Sequence, residues 1–144
     1  MRFLGKYVIF VCLLITAFCL IACEKKKEGK VILTDTEYTL RQDAERSWTI
    51  DATGKVKNVG EVDVKKVVIT GYCRSCGEVI TLGSWFVSEI EKLPHQKDTI
   101  SYLAEGAEED FNVKEVVFYW GVEKPKSIPE KLEIVIESFE TVND

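Results

Sequence analysis

The sequence predicts an all-β fold of about seven strands, a sandwich or barrel, following an N-terminal segment of a different kind. Three observations predict it. From residue 31 onward apolar and polar residues alternate with period two. β-branched and aromatic residues cluster in short runs, and turn residues separate those runs at fairly even intervals. No stretch carries helical periodicity beyond a turn or two; residues 88–93 and 104–110 are the only candidates.

The strands follow in order. Residues 31–40 form a weaker first candidate. Residues 48–58 are the clearest: Trp48, Ile50, Ala52, Gly54 and Val56 alternate with Thr49, Asp51, Thr53, Lys55 and Lys57, giving one dry and one wet face. Asn58-Val59-Gly60 supplies turn chemistry. Residues 65–72, KKVVITGY, are β-branched enough to lie deep in a sheet. Residues 77–87, GEVITLGSWFV, are a further candidate, and Leu93-Pro94 interrupts the pattern before residues 98–103 resume it. In residues 113–120, Val116, Phe118 and Trp120 share one face, while Val117 and Tyr119 make the other partly apolar. Pro125 and Pro129 mark a loop, and residues 132–139 close the series with Leu132, Ile134 and Ile136 inward and Glu133 and Glu137 outward.

The N-terminus obeys other rules. Arg2 and Lys6 precede an uninterrupted apolar and small-residue run of 16 residues, Tyr7 to Ala22. That is shorter than the roughly 20 residues a membrane-spanning helix needs. Basic residues flank both sides, since Lys25, Lys26 and Lys27 follow it. A charged start, an apolar core and a small residue before a cut are the parts of a secretory signal. The tetrapeptide Leu20-Ile21-Ala22-Cys23 resembles the lipobox of bacterial lipoproteins. The resemblance implies cleavage before Cys23 and a diacylglycerol on its thiol, with further acylation of its amine in many members. Two or more chains anchor a protein stably in a bilayer. The implied organisation is a signal peptide at 1–22, a lipidated Cys23 with a charged tether to residue 30, and a domain over 31–144. The tether Glu24 to Lys30, EKKKEGK, would reach about 25 Å when extended. In the lipoproteins of bacteria with two membranes, Asp after the cysteine retains the protein in the inner one. Here that residue is Glu24, which favours the outer membrane if the source has one.

Cleavage leaves 122 residues, ample for one domain with a core. It removes two basic residues and no acidic ones, so 17 Lys and Arg face 24 Asp and Glu, a net −7. Such an acidic domain disfavours nucleic acid or an anionic lipid surface as its main partner. With His95 as the single histidine, a multi-histidine zinc or copper site is excluded. His95 itself lies in a polar turn and is expected to be exposed. Ser84 and Ser88 have no acid or histidine at catalytic spacing. The run Glu108-Glu109-Asp110 lacks the ligand spacing of a calcium loop and is read as a solvated loop. Trp48, Trp85 and Trp120 could line a ligand groove, but aromatics at strand period more often pack a core or its rim. No catalytic residue, cofactor or metal is called for, and the domain is read as non-enzymatic.

Of five cysteines, Cys12 and Cys19 lie in the apolar run and Cys23 in the lipobox, leaving Cys73 and Cys76. Outside the cytoplasm an even remainder suggests a disulfide. Cys73-Arg74-Ser75-Cys76 falls where a turn between strands belongs, so a short structural staple is the leading reading. A thiol-redox pair is the alternative, although thioredoxin-like motifs place the first cysteine at a helix N-terminus and here a strand is expected to follow. A shared metal site or an intermolecular bridge needs further ligands or a second chain.

The stretch from about Thr53 to Val117 resembles the FxLYD-type domains of bacterial surface lipoproteins. The resemblance rests on Gly54-Lys55-Val56-Lys57-Asn58, on Val67-Val68-Ile69-Thr70-Gly71-Tyr72, on Glu78-Val79-Ile80 after a glycine-bearing turn, and on Leu93-Pro94. At the naming motif the chain reads Ile69-Thr70-Gly71-Tyr72-Cys73 and keeps only the tyrosine, and the turn glycine Gly77 falls one residue late. The resemblance implies an immunoglobulin-like β-sandwich and a binding, spacer or assembly role without enzyme activity. Its expected partner is an envelope protein or polymer. Asn58 would be the strand-ending asparagine, bonding nearby backbone and tolerating left-handed geometry.

Overall fold

The computed structural model describes residues 26–87 and 92–142; the lipobox, Cys23 and residues 88–91 lie outside them. The alternating segments form seven strands: β1 (Val31–Ala44), β2 (Ser47–Asn58), β3 (Val64–Cys73), β4 (Trp85–Phe86), β5 (Lys97–Leu103), β6 (Glu108–Trp120) and β7 (Leu132–Thr141). They make two antiparallel sheets, ordered β1-β2-β6-β4 and β5-β3-β7. This is the immunoglobulin-like sandwich expected from the sequence. After the β1–β2 hairpin the chain changes sheets at every connection, from β2 to β3 through to β6 to β7. The four-stranded sheet has the A-B-E-D order of constant-type domains. The three-stranded sheet carries its extra strand, β5, beside β3.

The dry faces meet in one main core. Ala52 and Val56 from β2, Val64, Val67 and Ile69 from β3, Ile100 and Leu103 from β5, and Phe111, Val113 and Val116 from β6 are buried together. A smaller cluster of Ile50, Cys73 and Val117 lies toward one end, flanked by Leu40, Trp85 and Leu132. Gly71 is required where β3 crosses β6, because a Cβ there would come within 2.8 Å of the Val116 methyls.

Several expectations need correction. The wet face of β2 is not wet throughout, since Thr49 and Asp51 are buried. Asp51 lies opposite a bulge in β6, where Glu115 has φ 53° and the register slips between Ile50 and Ala52, and Thr49 donates its hydroxyl to Val117 O at 3.0 Å. Asp35 and Lys66, the other non-glycine residues with positive φ among those described, also sit at register shifts. Residues 104–110 contain no helix: they are a turn running into β6, so Glu108, Glu109 and Asp110 are strand residues rather than a loop. Leu93 is extended and precedes a 3₁₀ turn at Pro94–Gln96. Of the run 77–87 only Trp85–Phe86 pairs as strand, with one isolated bridge from Gly77 to Phe86. The tether is shorter than its charge suggests. Glu28 O accepts the Glu61 amide at 2.9 Å, and Lys30 O accepts those of Val59 and Gly60 at 2.7 and 3.0 Å, so the chain is docked from Glu28 onward.

Asn58 ends β2 and is fully buried. Its Nδ2 donates to Val62 O at 2.8 Å and Leu103 O at 3.1 Å, and its Oδ1 accepts the Gly60 amide at 3.0 Å. Its backbone N–H and C=O are paired with Ala107 O and Gly106 N. One side chain thus ties the β2–β3 connection to the end of β5. It bonds backbone as expected, but without left-handed geometry.

Candidate functional site

The sandwich has two unlike ends. At one end lie the docked N-terminal segment, Asn58, Leu103 and the end of β7. At the other lie the β1–β2 turn, the loop from Cys73 to Trp85, and the loop from Trp120 to Leu132. The 12 residues of β2 separate the two by roughly 35–40 Å. The second end holds both candidate cysteines and all three tryptophans.

This distal end is built on the close of β3. Cys73 pairs with Leu132, and Arg74 N donates to Lys131 O at 2.9 Å, which carries the ladder one residue further. The turn then reverses the chain, and Cys73 and Cys76 are joined through their sulfurs with their Cα atoms 5.5 Å apart. Cys73 packs in the smaller core cluster, with Cys76 against it. Ser75 Oγ lies 3.6 Å from Cys73 Sγ and accepts the Lys131 amide at 3.4 Å. No helix follows the pair among the described residues. The backbone that would lower a thiol pKa in a redox motif is therefore missing here.

Past the bridge, the Gly77 amide donates to Trp85 O at 3.2 Å and the Val87 amide to Gly77 O at 3.0 Å, closing a loop over residues 78–84. Gly83 turns it with φ 79° and donates to Trp120 O at 2.8 Å. Trp85 Nε1 donates to Ser127 O at 3.2 Å, and its ring sits 5.2 Å from that of Tyr119. These bonds set the 78–84 loop and the 121–131 loop side by side.

Together the two loops expose apolar side chains that a fold of this size would normally bury. Val79 is 75 % exposed, Ile80 58 %, Leu82 65 %, Val122 63 % and Ile128 47 %. The residue types of Val79, Ile80 and Leu82 predict a strand. Among the described residues no neighbouring strand covers them, so the same side chains become a surface. They sit on two loops held side by side, which makes this end the candidate interaction surface. The tryptophans form its rim: Trp120 is exposed, while Trp85 and Trp48 are half-buried. None is fully buried core, and Trp85 lines an open cleft with Gly77, Val79 and Ser84.

Behind this end a polar network locks the β6 bulge. Asp51 accepts the Glu115 amide at 3.0 Å and pairs with Arg41 Nε at 3.1 Å and Lys114 Nζ at 3.4 Å. Burial pushes its carboxyl pKa up, but the amide and the two cations outweigh burial and hold it below the usual range. His95 is half-exposed in its turn, with Nε2 2.9 Å from Glu115 Oε2. Gln96 donates to Glu115 O at 3.0 Å, and Lys92 Nζ, its pKa lowered by burial, donates to Val116 O at 3.1 Å. Every group in this network already has a protein partner, so it reads as architecture. Among the described residues, no three His, Cys, Asp or Glu side chains are placed to hold a metal ion. No helix there is long and apolar enough to cross a membrane.

No family model matches the chain, and comparison with curated proteins and with solved structures finds no match either.

Proposed function

We propose that the chain is a bacterial lipoprotein held in a membrane through an acylated Cys23, whose sandwich acts as a non-enzymatic binding or assembly module of the cell envelope. The observation that carries this reading is the polarity of the fold. The segment leading back to Cys23 docks at one end, and the exposed apolar loops occupy the other. With Glu28 bonded to the domain, only Glu24 to Lys27 separate the anchor from folded chain, a reach of about 14 Å. Such a short link would hold the proximal end near the membrane and direct the distal loops away from it. The partner is an envelope protein or polymer; the resemblance to FxLYD-type domains agrees with such a role. Glu24 favours the outer membrane where the source has one.

Two measurements test the reading. Mass spectrometry of the mature protein should find a chain that begins at a lipid-modified Cys23, and Cys23→Ser should abolish both the cut and the lipid. A mature chain that retains residues 1–22 without lipid rejects the anchor. A photo-crosslinking residue at Ile80 should give discrete adducts in intact cells, and one at Glu61, on the proximal end, should not. Equal labelling from both positions rejects the tip as the binding end.

A further inference from the structure

The edges of the two sheets are not equally protected. An open edge presents unpaired N–H and C=O groups, and proteins blunt such edges by shortness, bulges or charge. The edge strand β4 has two residues. β1 loses register twice, after Thr34 and after Gln42, with Asp35 at φ 53°. On the β5 side, side chains cross between the sheets: Asp98 accepts the Asn112 amide at 2.7 Å, Gln96 donates to Glu115 O, and Lys92 to Val116 O. β7 is neither short nor bulged over Leu132–Ile136, which pair regularly with Cys73–Ile69 of β3, and charge is the device it carries there, at Glu133.

The outer edge of β7 also leaves the core incomplete. Leu132, Ile134 and Ile136 point inward against the main cluster, yet each is only partly buried. In constant-type domains a last strand lies beside the one that β7 corresponds to. Among the described residues no strand hydrogen-bonds there, although β1 of the other sheet passes close to β7. Its chemistry is acidic. Glu133 and Glu137 face outward along β7, with Glu140 beyond them. Their cations Arg74, Lys97 and Lys66 approach from the β3 side, away from the open edge. These carboxylates are 41 %, 37 % and 50 % exposed and keep lone pairs for further donors.

We propose that the outer edge of β7 receives an extended segment of a partner protein, alternating apolar residues with Lys or Arg, as an additional antiparallel strand. Its apolar side chains would cover Leu132, Ile134 and Ile136, and its cations would lie opposite Glu133 and Glu137. The acidic edge favours such a segment over a second copy of this chain, which would set acid against acid. This face is separate from the distal tip, and binding there stands or falls by the Ile80 crosslink instead.

The test uses the full chain in detergent and three ten-residue peptides. One alternates Val with Lys, one alternates Val with Glu, and one is the Lys peptide methylated on every second amide nitrogen. The Lys peptide should bind about tenfold tighter than the Glu peptide, the difference between two attractive and two repulsive cross-strand pairs. Methylation should abolish binding. Amide exchange should slow at residues 132–136 of the unmodified protein and stay unchanged at 78–84. The double variant Glu133→Lys, Glu137→Lys should reverse the peptide preference. Equal affinity for the Lys and Glu peptides, no binding at millimolar peptide, or protection confined to the tip overturns the proposal. Concentration-dependent protection of 132–136 without peptide overturns it in favour of a second copy.

Discussion

The proximal and distal ends of the sandwich close the same strands in opposite ways. At the proximal end polar groups turn inward. Asn58 is wholly buried, and its side chain bonds Val62, Leu103 and Gly60 while the N-terminal segment bonds the 59–61 turn. At the distal end apolar groups turn outward, and the chain is held by a covalent bridge and by backbone bonds between loops. The first arrangement suits an end that must hold strands and the N-terminal segment together. The second suits an end that keeps a fixed shape while exposing surface. If the contrast is real, damage to the proximal end should unfold the protein, and damage to the distal end should change what it binds.

The largest effect is expected at Asn58. Replacement by Ala removes the donor to a buried carbonyl, Leu103 O, and to a half-buried one, Val62 O, while the Gly60 amide keeps Lys30 O. A buried group left unsatisfied costs about 1–3 kcal/mol, so Asn58→Ala should lose about 3 kcal/mol in urea unfolding. Asn58→Asp should do no better, since it sets a carboxylate oxygen against the two carbonyls that Nδ2 now serves. A loss below about 1 kcal/mol for the Ala variant would show that the proximal turn does not depend on this side chain.

The bridge comes next. Cys73 and Cys76 are three residues apart, so the loop they close is short and the entropic gain small, about 2 kcal/mol. Cys73→Ala with Cys76→Ala should cost about that much, and the Cys73 position more than Cys76 because it packs with Ile50 and Val117. Hydrogen exchange should quicken over 74–87 and not at Asn58. The oxidised pair should have a reduction potential below about −300 mV, as structural disulfides do. A value near −200 mV would favour thiol exchange over a staple.

What the sequence made legible follows from which forces are local. Ile50, Ala52 and Val56, and again Leu132, Ile134 and Ile136, announce their sheet face because burial on a strand obeys period two. The adjacency of Cys73 and Cys76 is visible for the same local reason. The burial of Asp51 is not. It depends on a bulge at Glu115, supplied by a strand some 60 residues later, and no pattern around Asp51 encodes it. Residues 79–82 mislead for a related reason. Val79, Ile80 and Leu82 have strand composition, but composition cannot report that no strand lies beside them. The open edge of β7 escaped notice likewise: an edge is a property of sheet order, and β7 reads along its length like any half-buried strand.

The smallest effect on stability, and the one that best separates the two ends, is expected at the tip. Val79→Ser, Ile80→Ser and Leu82→Ser together remove exposed side chains that pack little in the free protein. Surface substitutions of this kind usually stay within about 0.5 kcal/mol. Unfolding of the triple variant should therefore match that of the parent. Adducts from a photo-crosslinking residue placed nearby, at Val122, should fall sharply, because the lost apolar area is what a partner would cover. A triple variant that unfolds early would mean that the loop is a prop for the distal core. A variant equally stable and equally well crosslinked would place the binding surface elsewhere on the sandwich, with the open edge of β7 the next place to look.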